Sequence, residues 1–340
     1  MKKLLNTLYV TDENAFLSLD GETVVCKSDG RDELKLPFAN LENIVCFSYL
    51  GCSPALMGKC AETGVGLSFF TPHGRFLARV TGSVRGNVYT RVQQLEVFER
   101  SAVELVQNTI AAKLANTRTL LERTLRDYAD FPLRDRVVEV SAYLKEQVVE
   151  VLRQTDIEIL RGIEGNCAKQ FFGIFGALIR NPNSFFRTFG RSKHPPLDAV
   201  NAVLSFLYAM LTNDIASALE SVGLDSYIGY YHTLRSGRPS LACDLVEELR
   251  HTAERLTLTL INLRQLDDKD FSAHISGAVY LSDNGRKKVL KALQERKRET
   301  FLHPYLKQKV AYGLLPFVQA NLLAKFVRGE IGVYPTFLAR

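Results

Sequence analysis

Along the first eighty residues, apolar side chains recur in short runs broken by turn residues. Residues 4–10, 15–19, 23–26, 34–38, 44–47, 65–70 and 76–80 read as strands, and Asp20-Gly21, Asp29-Gly30 and Pro72-His73-Gly74 punctuate them. One helix interrupts the pattern over residues 54–62, where Ser53 supplies a capping hydroxyl and Gly64 a left-handed stop. These elements predict a small, mainly antiparallel β domain.

After Tyr89 the period lengthens, with apolar residues three and four apart and almost no Gly or Pro between residues 92 and 162. Further helices are predicted over 157–179, 197–222, 240–266, 282–300 and 306–328, joined by Gly-, Pro- and Asn-rich stretches at 180–196 and 223–239. The expected fold class is α+β: a small N-terminal β-rich domain over residues 1–85, followed by a larger all-helical domain over residues 86–340. No repeat of fixed period points to a solenoid.

The chain has 340 residues, 46% hydrophobic and 24% charged, close to the globular average, so neither wholesale disorder nor a small disulfide scaffold fits. Its six cysteines lie in apolar contexts with no Cys-x-x-Cys pair, which reads as buried free thiols of a cytoplasmic protein. Acidic Asp12-Glu13 cuts short the apolar start, and the longest apolar runs fall well below the roughly 18 residues of a membrane span, so neither export nor a membrane location is expected. The net charge of +6 is unevenly spread: residues 286–340 hold twelve basic and three acidic side chains. Such a cluster suits either an anionic partner or a solvated helix face.

Candidate chemistry lies in three places. Asp244, Glu247, Glu248 and His251 share one face of the helix after Pro239, a spacing that serves metal ligation and a solvated acidic face alike. Glu248-x-x-His251 also forms half of a di-iron signature, but no second Glu-x-x-His accompanies it. In Arg161-Gly162-Ile163-Glu164-Gly165, two glycines bracket Glu164, each at a cost of up to about 1 kcal/mol of helix stability, and clear space for a substrate backbone or a neighbouring helix. Arg161 and Glu164 also have the spacing of an ordinary surface ion pair, and His232 alone reads equally as a structural histidine.

Taken together with Pro195-Pro196-Leu197-Asp198-Ala199-Val200-Asn201-Ala202 and with Gly237-Arg238-Pro239-Ser240-Leu241-Ala242-Cys243-Asp244-Leu245-Val246-Glu247-Glu248, these motifs resemble the CRISPR-associated adaptation integrase family, the universal first Cas protein. The resemblance runs along nearly the whole chain. Gly74-Arg75-Phe76-Leu77-Ala78-Arg79 is similar to the family's interdomain junction, and Gln319-Ala320-Asn321 with Arg328-Gly329-Glu330 resembles its subtype I-C branch.

What the resemblance implies is a metal-dependent DNA integrase with associated endonuclease activity, which inserts short foreign spacers into a CRISPR array by 3′-hydroxyl attack on a repeat-boundary phosphodiester. It places the metal ligands on Glu164, His232 and Glu247, with Asp244 as a further catalytic residue one turn earlier. Carboxylates with one imidazole suit Mg²⁺ or Mn²⁺. Arg161, Arg235 and Arg238 are expected to hold DNA phosphates, salt bridges within the protein being the alternative, and the basic loop of Arg187, Arg191, Lys193 and His194 is expected to track DNA, a solvated connector being the alternative. The departure at Arg250-His251-Thr252-Ala253-Glu254, where the family often has Arg-Pro and a later Asp, leaves the roles of His251 and Glu254 open. Implied partners are double-stranded DNA, a second copy of the chain in a homodimer, the Cas-two dimer and a Cas-four type nuclease. The rival readings are a general metal-dependent nuclease on branched DNA and a non-catalytic DNA-binding scaffold.

Overall fold

The computed structural model describes residues 6–28, 33–82, 88–193 and 195–339. The expected boundary between residues 85 and 86, the Asp29-Gly30 turn and His194 lie outside them. Seven strands occupy the N-terminal part: β1 (Thr7–Val10), β2 (Phe16–Asp20), β3 (Thr23–Lys27), β4 (Leu34–Pro37), β5 (Asn43–Cys46), β6 (Gly66–Phe70) and β7 (Phe76–Val80). Helix α1 (Pro54–Thr63) begins where the Ser53 hydroxyl accepts the Leu56 amide and ends at Gly64 in the left-handed region. Strands β2, β3 and β4 form an antiparallel meander. The larger sheet has the order β1-β5-β6-β7, and its β1–β5 and β5–β6 pairs are parallel.

Those parallel pairs depart from the antiparallel expectation, and the composition of β5 explains them. Ile44 and Cys46 enter the β domain's own core, while Val45 and the following Phe47 enter the core of the helical part. A strand buried on both faces reads as a continuous apolar run and suits the centre of a sheet covered on both sides. Phe47 stacks on Phe206, with ring centroids 6.0 Å apart.

The helical part consists of α2 (Val88–Asp127), α3 (Arg134–Arg153), α4 (Ile157–Ile174), α5 (Ala199–Ser221), α6 (Ser240–Leu249), α7 (His251–Asn262), α8 (Asp283–Arg298) and α9 (Leu315–Val327). It is not all helical. A hairpin of β8 (Phe271–Ala273) and β9 (Val279–Leu281) precedes α8, and a second of β10 (Thr300–Leu302) and β11 (Lys309–Ala311) follows it. The helix predicted over 306–328 therefore starts later. Pro316, which sits in the first turn of α9, marks that start, because proline is tolerated where the amide would be unpaired anyway. Helix α5 is long and apolar enough to cross a membrane by composition, but most of its apolar window is buried in the protein core.

Two guanidinium groups fasten the sheet to the helices. Arg286 of α8, 1% exposed, donates to the carbonyls of Pro72 at 2.7 Å and Thr11 at 3.1 Å. Arg79 of β7 reaches Glu220 at 2.9 Å and the Asn213 side chain at 2.7 Å. The basic C-terminal cluster is accordingly less free than its sequence suggests. Lys297 is paired with Asp214 at 2.6 Å, Arg296 stacks on Tyr312, and Lys288 holds Asp270 at 2.6 Å. Lys287, Lys291 and Arg298 remain on the wall of an open groove of about 430 Å³.

The C-terminal segment returns to the middle of the helical part. The Glu248 carboxylate accepts the Phe337 amide at 2.6 Å and the hydroxyl of Tyr334, and Asn116 of α2 bonds the Phe337 carbonyl at 2.9 Å and the Ala339 amide at 2.7 Å. Burial pushes Glu248 up to about 7, opposed by hydrogen bonds from Tyr334, Phe337 and Gln319. Its ordinary value is about 4.3, so between those limits the folded chain holds a proton that the unfolded chain has lost. This contribution to stability is present at low pH and disappears as pH rises through about 7. Urea denaturation of the parent and of Glu248→Gln at pH 5, 6, 7 and 8 should show the parent losing ground to the variant with rising pH, by at most about 1.4 kcal/mol per unit. His251, whose burial pushes it down to about 3, acts in the opposite sense but equally in both proteins and cancels in the difference.

Candidate metal centre

Helix α6 is the organiser of the site. It opens Ser240-Leu241-Ala242-Cys243-Asp244-Leu245, and its apolar residues Leu241, Ala242, Leu245 and Leu249 are buried. The acidic face expected beside them is not solvated. Asp244, Glu248 and His251 are all buried; Asp244 engages the preceding loop, whereas Glu248 and His251 both meet Phe337 of the C-terminal segment.

Asp244 gathers the backbone of the preceding loop. Its Oδ2 accepts the amides of Tyr230 at 2.8 Å and Tyr231 at 3.1 Å, while Oδ1 accepts the His232 amide at 2.8 Å and meets His232 Nδ1 at 2.6 Å. Gly229 makes this approach possible, since a Cβ there would lie 2.6 Å from Asp244 Oδ2. Every contact of Asp244 is as an acceptor, so Nδ1 carries the imidazole proton and Nε2 keeps the lone pair suited to a metal ion or a proton. Asp244 thus positions His232, and its buried oxygens are already engaged.

Glu164 and Glu247 do come together. Lys113, in the C-terminal half of α2 and 5% exposed, places its ammonium between them: Nζ contacts Glu247 Oε2 at 2.5 Å and also pairs with Glu164 Oε1. Arg250 closes the other side of Glu247 with Nη1 at 2.8 Å from Oε2 and 3.2 Å from Oε1. Burial opposes ionisation of Glu247, but Arg250 and Lys113 outweigh it and hold the carboxyl far below the usual range. Among the described residues, no group of three His, Cys, Asp or Glu side chains is gathered closely enough to hold a metal ion as it stands. His232 is held one helical turn along α6 from Glu247, through Asp244.

The donors fit a hard divalent cation in one decisive respect: two carboxylates from separate helices already converge on a positive charge. Glu164 and Glu247 would supply oxygen ligands and His232 Nε2 the nitrogen. A Cβ built at Gly162 or Gly165 meets no atom within 4 Å outside the helix's own backbone, so neither glycine accommodates a neighbouring helix.

Residues 8–295 match the family described as CRISPR associated protein Cas1. The chain belongs to the Cas1 family. It is 42% identical over 343 aligned positions to a protein of Chlorobaculum tepidum named CRISPR-associated endonuclease Cas1 1, covering 100% of both chains. It is 45% identical over 342 positions to CRISPR-associated endonuclease Cas1 2 of Rhodospirillum rubrum, covering 98% of each. Its fold is that of a Cas1 protein from Thermotoga maritima (TM-score 0.79, 20% identity, 98% of this chain and 100% of the other). It is also that of a casposase bound to its integration product (TM-score 0.84, 18% identity, 96% and 92%).

The basic residues of this Cas1 chain divide by their contacts. Arg161 bonds the Tyr231 carbonyl at 2.7 Å, pairs with Glu158 and lies over the Tyr231 ring, and Arg238 bonds the Thr233 hydroxyl at 2.9 Å. Both therefore brace the loop that carries His232. Arg191 spends its guanidinium on Asn201 at 2.8 Å and Ser205 at 3.0 Å and lies over Tyr208. Arg187, Lys193 and Arg235 are exposed, and their side chains make no hydrogen bond or ion pair among the described residues. The cysteines are free, and burial pushes the thiols of Cys52, Cys167 and Cys243 up to about 11, which keeps them inert.

Lys113 and Arg250 escape motif reading, although the sequence carries a signal for the first. Thr109, Lys113, Asn116 and Thr117 fall on the same stripe of α2 as Val106, Ile110 and Leu120, and polar residues on a buried stripe need partners. Asp244→Ala should cost about 3–5 kcal/mol, because it strands the amides of residues 230–232 inside the protein. His232→Ala should melt near the parent, since its ring is partly exposed and leaves Asp244 bonded to backbone. Chemical denaturation of both variants checks this, and equal stabilities would remove Asp244 from its positioning role.

Proposed function

We propose that this Cas1 chain is a metal-dependent DNA integrase of CRISPR adaptation that joins the 3′-hydroxyl of a short DNA duplex to a phosphodiester of the array, and that also cleaves DNA. The observation that carries the reading is the convergence of Glu164 and Glu247 on one cation beside a histidine whose tautomer is set by Asp244. The printed names of the close relatives, which are endonucleases, and the fold shared with a casposase bound to its product support it.

In this reading Glu164, Glu247 and His232 Nε2 hold Mg²⁺ or Mn²⁺, which when bound supplies Lewis acidity at the scissile phosphate. Asp244 takes the Nδ1 proton of the neutral ring in a hydrogen bond, which makes Nε2 the donor nitrogen, and holds the ring oriented. Arg161 and Arg238 keep the 230–235 loop closed on α4 and α6, and Arg235 is the exposed guanidinium nearest in sequence to the site for a DNA phosphate. Gly162 and Gly165 keep the approach to Glu164 open to the DNA backbone. The exchange needs no external energy, because one phosphodiester replaces another.

The remaining partners follow from the relatives. Cas2 and a Cas4-type nuclease are proposed because a structural neighbour is a Cas6-RT-Cas1–Cas2 complex and a relative from Geobacter sulfurreducens is a Cas4/Cas1 fusion; a second copy of the chain is proposed from the family resemblance alone. Placement in the subtype I-C branch rests on the motifs of the C-terminal segment, where Gln319 binds the Tyr334 hydroxyl at 2.9 Å.

The test is single-turnover strand transfer of a labelled short duplex into a supercoiled array plasmid, with Mn²⁺ and the Cas2 partner. Glu164→Gln, His232→Ala and Glu247→Gln should each lower the joining rate by about 10²–10³-fold or more while leaving the melt cooperative. Cleavage without joining by the parent would make the chain a nuclease only, and joining by His232→Ala at the parental rate would remove that residue from the site.

A further inference from the structure

Lys113, like Arg250, is a member of the centre that sequence motifs do not account for, and its position is unusual for a lysine. Its ammonium is buried within the C-terminal half of α2 and is shared by two carboxylates that the proposed function assigns to a metal ion. A buried ammonium is tolerated only when paired, and so is a pair of buried carboxylates. Each partner therefore satisfies the other. A divalent ion on the same oxygens and the ammonium cannot both occupy that point, since like charges at such a separation repel strongly in a medium of low dielectric.

A second, independent observation shows where the ammonium can go. Glu254 of α7 is 1% exposed; its Oε1 accepts from Tyr208 Oη at 2.8 Å and from Arg250 Nε at 3.2 Å. Its Oε2 is buried with no hydrogen-bond partner. Lys113, Thr117, Cys167, Phe171, Arg250 and Glu254 line one small cavity of about 10 Å³, room for a single water. Lys113 and Glu254, whose Oε2 has no partner, thus border a common small void.

We propose that Lys113 is a built-in counter-ion with two positions: its ammonium bridges Glu164 and Glu247 while the metal ion is absent, and moves across the cavity to Glu254 when the ion takes the carboxylates. This rests on the metal-centre reading above and adds to it a residue that sets the affinity. Lysine suits the role because its charge is compact and sits on a flexible four-carbon stem, whereas an arginine fork of fixed geometry would hold the carboxylates permanently. The carboxylates stay apposed and neutralised without metal, so the centre does not open before the ion arrives.

The test is a titration of the full-length protein, without DNA or partner, with Mn²⁺ alone, following free Mn²⁺ by its electron paramagnetic resonance signal. Lys113→Met, which keeps the stem and removes the charge, should tighten Mn²⁺ binding by about tenfold or more, in line with the effect of removing one like charge at contact distance. It should also melt lower than the parent in EDTA and recover in Mn²⁺, a recovery that a lysine with a purely structural role would not show. Glu254→Gln, which retains the shape but not the charge of the second acceptor, should weaken binding several-fold. Mn²⁺ affinity of Lys113→Met equal to or weaker than the parent's overturns the proposal, and if that variant does not fold, unchanged affinity in Glu254→Gln overturns it. Glu164→Gln and Glu247→Gln separate the two levels. If they bind Mn²⁺ as the parent does, the metal centre itself is wrong; if they lose Mn²⁺ while Lys113→Met is unchanged, only the counter-ion exchange fails.

Discussion

Everything at the centre depends on keeping buried charge neutralised along one short helix. Helix α6 carries Asp244 and Glu248 into the interior and Glu247 to its partly exposed edge within two turns, and each carboxylate is paired with a different part of the chain. Asp244 is answered by three backbone amides and an imidazole, Glu247 by an ammonium and a guanidinium, and Glu248 by the tail's hydroxyl and amide. An unpaired buried carboxylate would cost several kcal/mol, of the order of a small domain's whole stability, so the three pairings are conditions for folding as well as for chemistry.

That constraint ties distant segments to the site. The loop over residues 230–232 is shaped by Asp244, and α2 and α4 are drawn to α6 through Lys113 and Glu164. The tail closes over the opposite side of α6 through Glu248 and Asn116. A polar layer thus runs from the C-terminal segment to the two carboxylates, and Glu247 and Glu248, neighbours in sequence, meet Lys113 and the tail on separate faces.

The β part relates to this layer only through its packing. Val45, Phe47 and Phe70 complete the helical core from one side, and the Arg79 and Arg286 guanidinium groups satisfy carbonyls and carboxylates across the seam. The sheet is therefore continuous with the hydrophobic core that holds α5 against α6 and α7.

Local chemistry was legible in the sequence. Ser53, Gly64 and the alternating strands gave the β part its elements because capping, left-handed stops and period-two burial are decided within a few residues. The glycines around Glu164 and the run from Pro239 to Glu248 pointed to the site, because residue types suited to hard-metal chemistry are written in the sequence whatever their partners. The parallel pairing of β5, the late start of α9 and the two C-terminal hairpins were not read, since register and hairpin closure depend on contacts between segments far apart. Nor could spacing along α6 show that Asp244 orients while Glu247 receives the cation. That division was decided by what lay opposite each carboxylate once the chain had folded: the loop amides for one, the Lys113 ammonium for the other, because a buried charge takes its role from the partner that neutralises it.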